Sequence, residues 1–269
     1  MTTPTEAPSE RQAERAGLAI EVREVLKVYG TRTGMVKALE GISFTVRNEE
    51  FVTIVGPSGC GKTTILKILA GLVAPTAGEV LVFGEPVRGP VAGVGMVFQA
   101  PVLLKWRTVL DNVLLPIEIL RLDRQAYVER ARALLRLAGI EEFSQKYPRE
   151  LSGGMQQRVA ICRALIHEPR LLLLDEPFGA LDALTRDQLN LELLRIWSER
   201  RKTSVLITHS IPEAVFLADR VIVMTPRPGR VADVVEVDLP RPRSAAVRLE
   251  RRFNELVRRI GQLLGVDYA

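Results

Sequence analysis

Short apolar runs alternate along the chain with longer stretches whose apolar residues recur at helical spacing. Phe51–Val55 is apolar but for Thr53 and mostly β-branched, and similar runs return at Leu171–Leu174, Ser204–Thr208 and Val221–Met224. Runs this short and this apolar predict strands buried on both faces of a parallel sheet. Between them Leu189, Leu193, Leu194 and Trp197 fall on one helical stripe, so strands alternate with helices and an α/β core is expected. Upstream, residues 19–29 and 38–56 are strand-like and punctuated by Gly30, Gly34 and Gly41, which predicts turn-rich β structure. From Ala100 to Arg158 no convincing strand is visible. Asp123 to Ala138 predicts a helix carrying Tyr127, Leu134, Leu135 and Ala138, so this stretch is expected to be a mainly helical insertion in the core. Ser210-Ile211-Pro212-Glu213 has the form of a capping box with Pro in the first turn, which predicts a helix starting just after His209.

Composition narrows the class. The chain has 269 residues, 47% hydrophobic and 26% charged, which is ordinary for a globular protein with a sizeable core. No apolar run reaches the length of a membrane span; Ile65 to Ala74 comes nearest but is broken by Lys67 and closed by Pro75. Residues 1–17 are polar, carry no apolar signal region and are expected to form a disordered tail. Cys60 and Cys162 lie far apart and form no CxxC. That excludes a disulfide framework or zinc knuckle and fits a reduced, cytosolic setting.

Charge changes the picture in one place. Lys and Arg number 37 against 32 Asp and Glu, a net charge of +5. Between Pro240 and Arg259 stand seven Arg and two Glu, which is also +5. The rest of the chain is balanced, so any affinity for acidic partners must rest on that segment.

The most specific chemistry lies in Gly56-Pro57-Ser58-Gly59-Cys60-Gly61-Lys62-Thr63. This fits G-x4-G-K-S/T, follows the Phe51–Val55 strand and precedes an apolar helix expected over Thr64–Leu72. Glycines at this spacing let successive N–H groups curl around phosphates, and the helix start adds a favourable dipole. Lys62 is expected to reach the β- and γ-phosphates, the Thr63 hydroxyl to hold Mg²⁺, and Thr64 to continue the phosphate contacts. Cys60 reads as a spacer whose backbone matters, not as a nucleophile.

Leu171–Leu174 delivers Asp175 and Glu176 at its C-terminal end, where open α/β sheets place their ligands. Asp175 is expected to hold Mg²⁺ and Glu176 to polarise an attacking water. An acidic pair starting a helix after a core strand is the bland alternative. His209 ends the Ser204–Thr208 strand on the same sheet edge. It could hydrogen-bond a γ-phosphate, or be a satisfied structural histidine. His167, near a helix end, needs no more than a dipole contact.

Leu151-Ser152-Gly153-Gly154-Met155-Gln156-Gln157-Arg158 adds a second cradle, with Ser152 as an N-cap and two glycines permitting close approach of an anion. It resembles the LSGGQ signature of ATP-binding cassette (ABC) proteins, Met155 standing where Gln is commonest. Other elements follow in the family's order. Tyr29 resembles the aromatic that stacks on adenine, with an edge-strand tyrosine as its alternative. Gln99 in MVFQ resembles the Q-loop glutamine, which contacts Mg²⁺ and the attacking water. Gly179 to Asp182 resembles the D-loop, and His209 the switch histidine. Together they span Tyr29 to His209. The resemblance implies a P-loop core with an antiparallel N-terminal β subdomain and an inserted helical subdomain. It also implies a cassette over residues 18–239, and a homodimer in which each chain lends its second cradle to the other's Mg·ATP.

The strings at Asp175–Arg186 and Val223–Val231 look like the importer ATPases for nitrate, sulfonate and taurine. This implies a separate transmembrane permease, a solute-binding protein, and a place on the cytoplasmic face of the inner membrane. Those proteins often read LLPW after the Q-loop; here the residues are Leu103-Leu104-Lys105-Trp106. Trp106 is expected either to dock on a permease or to anchor the helical insertion. Residues 240–269 are expected to form a basic amphipathic helix with Leu249, Phe253, Leu256, Val257, Ile260, Leu263 and Leu264 on its stripe, either packed on the core or on the partner chain, or lying on anionic lipid beside the permease. A cassette acting on nucleic acid or ribosomes is the alternative function. The balanced core lacks the basic stripe it would need, so no nucleic-acid partner is expected.

Overall fold

The computed structural model describes residues 17–32, 34–179, 181–199 and 201–266. All but the last residue of the expected N-terminal tail lies outside them.

Two sheets carry the fold. β1 (Leu18–Thr31), β2 (Gly34–Arg47), β4 (Ala77–Val82) and β5 (Glu85–Pro86) form an antiparallel sheet in the order β2-β1-β4-β5. The second sheet holds β3 (Phe51–Val55), β6 (Val94–Val97), β7 (Leu171–Asp175), β8 (Thr203–Ile207), β9 (Arg220–Met224) and β10 (Val231–Glu236), in the order β10-β9-β3-β8-β7-β6. Only β10 runs antiparallel. Every residue of β3, β7, β8 and β9 is buried, as strands covered on both faces require. β3 lies between β8 and β9, so its C-terminal end meets segments 150 residues further on.

Helices cover this sheet. α1 (Lys62–Leu69) fills the space between the two sheets with Ile65, Leu66, Ile68 and Leu69. It ends sooner than the apolar run Thr64–Leu72 suggests. Gly71 turns to φ +71°, where an added Cβ would lie 1.7 Å from the Gly89 carbonyl oxygen. On the other face, α5 (Ala183–Glu199) and α6 (Ile211–Leu217) bury Leu189, Leu193, Leu194, Trp197 and Phe216, with Trp197 edge-on to Phe51 at 5.7 Å.

The stretch from 100 to 158 contains no strand among the described residues. α2 (Val109–Ile119), α3 (Arg124–Leu137) and α4 (Gly153–Leu165) close around Val113, Leu114, Ile117, Ala131, Leu135 and Val159. Their starts are capped by side chains: Thr108 accepts from Asp111 N, Asp123 from Gln125 N and Ser152 from Met155 N.

The C-terminal segment departs from the expected single helix. Residues 240–250 contain a short 3-10 turn at Ala245–Leu249, and α7 spans Arg251–Leu263. Phe253, Leu256, Val257 and Ile260 pack into the core, whereas Leu249 is 86% exposed and off the stripe. The arginines are largely engaged. Arg241 pairs with Asp219, Arg248 with Asp187, Arg252 with Asp238 and Arg259 with Asp233. Arg243 is buried and donates to the carbonyls of Val215, Phe216 and Ala218 at the end of α6. The segment is a clasp on its own core, which favours packing over lipid contact.

One buried ion pair joins the sheets. Arg220, opening β9, donates to both oxygens of Glu50 at 2.5 and 2.8 Å, and to the Thr45 carbonyl of β2. Removing one partner strands the other charge in an apolar setting, at a cost of about 3–5 kcal/mol. Glu50→Ala is therefore expected to lower Tm by roughly 6–15 °C in a thermal melt; a shift under about 2 °C would show the pair to be dispensable.

Candidate functional site

The loop after β3 is shaped by its glycines. Gly59 and Gly61 adopt φ +75° and +104°, and a Cβ on Gly61 would come within 2.5 Å of the Leu39 side chain. Only glycine makes both turns without strain. Cys60 points inward and is fully buried, and burial pushes its thiol up, which disfavours the nucleophilic thiolate. Pro57, Ser58, Gly59 and Thr63 stand toward the surface while Gly56 and Lys62 are buried. The Lys62 ammonium donates to the Gly56 carbonyl at 2.8 Å and the Pro57 carbonyl at 3.1 Å, so the cation sits inside the loop's curve.

Two strand ends, those of β7 and β8, carry the residues beside this loop. Asp175 ends β7, and its carboxylate accepts from the Thr63 hydroxyl at 3.1 Å. Burial pushes the Asp175 carboxyl up, opposed by that hydrogen bond. Glu176 follows with φ +43°, a left-handed conformation that costs a non-glycine residue about 1 kcal/mol or more and turns its carboxylate out of the sheet. His209, just past β8, places Nδ1 3.2 Å from Glu176 Oε2. Gly179 lies against both, since an added Cβ would sit 3.5 Å from Glu176 Oε2 and 3.6 Å from His209 Cε1.

The remaining expected residues lie apart. Ser152, Gly153 and Gly154 start α4, which packs on β6 so closely that a Cβ on Gly95 would be 2.4 Å from the Ala164 carbonyl oxygen. β6 is three strand positions from β3 in the sheet, roughly 14 Å at ordinary strand spacing. Within the chain Gly153 and Gly154 instead approach Leu181 and Thr185, beside Asp182. The Asp182 carboxylate accepts from the Thr185 N–H at 3.0 Å, capping α5, and this bond holds it below the usual carboxylate range. Gln99 is exposed just past β6. Tyr29 lies near the end of β1, half-buried, with the Lys27 ammonium 5.0 Å above its ring. Thr64 is half-buried in the first turn of α1.

Trp106 is 73% exposed, outside the core of the helical insertion. Its loop is nevertheless fixed: buried Asn112 accepts from Leu104 N and donates to the carbonyls of Leu104, Arg107 and Thr108. Next to Gln99, a groove of about 420 Å³ is lined by Met96, Phe98, Val102, Pro116, Ile119 and Leu120. His167 faces this groove's wall with Nε2 3.3 Å from the Val94 carbonyl oxygen.

Gly229 escaped notice in the sequence. A Cβ there would lie 2.0 Å from the Cys60 carbonyl oxygen, so the turn between β9 and β10 braces the phosphate loop from behind. Its only sequence signal is the turn-forming run Thr225-Pro226-Arg227-Pro228-Gly229.

Comparison with known proteins agrees with this geometry. The family model for ABC transporter matches residues 39–179. An uncharacterized ABC transporter ATP-binding protein of Methanocaldococcus jannaschii is 48% identical over 233 residues, covering 87% of each chain. The aliphatic sulfonates import ATP-binding protein SsuB of Bacillus cereus is 40% identical over 246 residues, covering 91% of this chain and 95% of its own. Among solved structures, an ATP-binding cassette in a dimeric post-hydrolysis state bound to ADP and Pi matches with a TM-score of 0.72. It shares 33% identity and covers 82% of this chain and 100% of that one. The cbiO1 protein of Clostridium perfringens, part of the ABC transporter complex cbiONQ, matches with a TM-score of 0.74 and 27% identity over 93% of this chain and 100% of that one. The matched stretch contains the phosphate loop, the second cradle and the paired carboxylates, and the relatives align over most of their length; the chain belongs to the ABC transporter family and is an ABC-type ATPase.

Proposed function

We propose that this chain energises a separate membrane permease for import of a small solute of the sulfonate, nitrate or taurine kind, working as a head-to-tail dimer with two Mg·ATP sites. The carrying observation is the separation of the two phosphate cradles. Ser152-Gly153-Gly154 opens a helix at the β6 edge, away from the loop 56–63, and so serves the nucleotide of a second copy better than its own. That a related cassette was solved as a dimer, and that relatives about 40% identical are named for sulfonate import, agree with this.

The residues suit magnesium. Thr63 and Asp175 bring a hydroxyl and a carboxylate side by side at 3.1 Å, the oxygen donors a hard cation takes, and Gln99 would approach from β6. Bound there, the metal would neutralise phosphate charge. Lys62 and the N–H groups from Gly59 to Thr64 hold the phosphates, and Tyr29 stacks on the base. Glu176 accepts a proton from the attacking water. His209, bonded to Glu176, fixes the carboxylate's direction and reaches toward the terminal phosphate. Asp182, capping α5 beside Gly153, faces the partner copy. Residues 18–239 form the cassette, with 100–158 its helical subdomain and 240–269 a clasp.

No described helix is long and apolar enough to cross a membrane. On this reading the permease is a different polypeptide and the chain works at the cytoplasmic face of the inner membrane, as the likeness to importer ATPases implies. Its docking surface is the groove beside Gln99, with Trp106, Ile119 and Leu120 exposed around it. A buried tryptophan contact contributes about 2 kcal/mol or more at such interfaces. Trp106→Ala is therefore expected to weaken co-purification with a membrane-spanning partner at least tenfold while leaving the chain's thermal melt unchanged. Equal recovery of the partner would remove the groove from the interface. A solute-binding protein found in the same complex, screened against sulfonates, nitrate and taurine, tests the cargo class; failure to bind any of them would reject it.

A further inference from the structure

Between Val97, the last residue of β6, and Val109, the first of α2, the chain forms neither helix nor strand. Gln99 lies in this stretch, exposed, and its side chain makes no hydrogen bond among the described residues. Its place is therefore set by the backbone on either side of it.

That backbone is held from one element. α4, the helix that opens at Ser152, carries buried Gln157 and half-buried Arg163. Gln157 Nε2 donates to the Phe98 carbonyl at 3.3 Å, one residue before Gln99. The two terminal nitrogens of Arg163 donate to the Pro101 and Val102 carbonyls at 2.8 and 2.9 Å, just after it. Among the described residues no other hydrogen bond reaches residues 99–102. The next fixed point is Leu104 N, which donates to Asn112. Gln99 and Ala100 thus form a short span between two anchors on one helix.

The anchors stand on a rigid base. A Cβ on Gly95 of β6 would lie 2.4 Å from the Ala164 carbonyl oxygen, so α4 cannot slide over the strand that leads to Gln99 without a backbone clash. Arg163 pairs with no carboxylate among the described residues, so its charge is directed at the two carbonyls. A charged fork bonds such groups more strongly than a neutral donor does.

Backbone strain marks where the fork acts. Val102 adopts φ +45°, a region in which a β-branched residue is a true outlier. Such a conformation persists only where its surroundings over-determine it. Side-chain packing does not supply this, because Val102 is 61% exposed. The guanidinium on its carbonyl does. Without that bond Val102 relaxes toward ordinary φ, and the chain leading back to Gln99 turns with it.

We propose that Arg163 and Gln157 are positioning residues for ATP hydrolysis, α4 gripping the turn 98–102 at both ends so that Gln99 is presented in one place. This rests on the assignment of Gln99 to the Mg·ATP site.

The test removes each anchor separately, with Arg163→Met and Gln157→Leu, which keep much of the side chain's bulk but donate nothing. Cys60 and Cys162 are both buried, so a nitroxide on exposed Ala100→Cys reports the turn alone. Without nucleotide, either change should shorten the label's rotational correlation time about twofold or more. With Mg·ATP, each should lower kcat about tenfold or more while KM for ATP changes less than about threefold. Gln99→Ala should be slowed similarly, and adding Arg163→Met to it should cost less than about a further twofold, because both act through one side chain. A label as restrained in both variants as in the parent would overturn the anchoring. Full kcat in Arg163→Met and Gln157→Leu beside a slow Gln99→Ala would overturn the positioning role, and so would losses that simply multiply in the double variant. Full kcat in Gln99→Ala would instead sink the reading of Gln99 itself, and the positioning role with it, while the label still decides whether α4 holds the turn. Should Arg163→Met not fold, Gln157→Leu carries the same comparisons.

Discussion

Lys62→Ala is expected to lower kcat/KM for ATP by about a thousandfold and to abolish measurable ATP binding at ordinary concentrations. The Lys62 ammonium is buried inside the curve of residues 56–63, held by the Gly56 and Pro57 carbonyls at 2.8 and 3.1 Å. A cation already in place, in a loop whose glycines fix its shape, pays little to reorganise when phosphate arrives. Losing one preorganised charged donor of this kind costs about 3–4 kcal/mol, or two to three powers of ten. Phosphate release and equilibrium binding of ATP measure the loss, and normal turnover would refute the loop assignment. The same variant tests the dimer. Ser152→Ala should also impair hydrolysis, because Ser152 caps the second cradle. Mixed with Lys62→Ala, it should recover about one working site per dimer, since one composite site then contains neither change. If each chain used its own cradle, mixing would restore nothing.

Glu176→Gln is expected to bind ATP but hydrolyse it about a hundred to ten thousand times more slowly, the usual contribution of a general base. The amide keeps the side chain's size and its neighbour His209 but cannot take a proton from water. Because Glu176 already occupies a strained backbone at φ +43°, the exchange should leave the fold intact and a melt unshifted by more than about 2 °C. With hydrolysis blocked, two copies should remain closed on two ATP molecules and elute as a dimer on a sizing column. A monomer at saturating ATP would count against the head-to-tail arrangement.

How far the sequence alone reached depends on how local each feature is. The strands β3, β7, β8 and β9 were legible because burial on both faces demands consecutive apolar residues. The phosphate loop was legible because its backbone turns can be made only by glycines at fixed spacing. Ser152 announced its helix because a cap acts within three residues of itself. β6 was not predicted: Val94-Gly95-Met96-Val97 is short, and its glycine answers to a helix some 70 positions later, whose backbone leaves no room for a Cβ.

The basic C-terminal segment shows the other side of this. Its surplus of +5 and its apolar stripe were plain in the sequence, but the two readings, lipid contact or packing, differed only in what lay opposite. The acids that engage it, Asp187, Asp219, Asp233 and Asp238, are spread along the chain and recognisable as partners only once α5, β9 and β10 are side by side. Trp106 likewise carried no label for exposure until Asn112 was seen holding its loop.

What the sequence determined by itself, then, is the set of short-range choices: which runs are strands, where helices start, which glycines turn the loop 56–63 and which carboxylates end a strand. Each is fixed by steric and capping rules acting over a few residues. Only the tertiary structure decided which strand ends meet, that α4 packs on β6, and that Gly229 lies against Cys60. Those depend on the strand order β10-β9-β3-β8-β7-β6, in which neighbours in space are distant in sequence and their contact leaves no periodic trace.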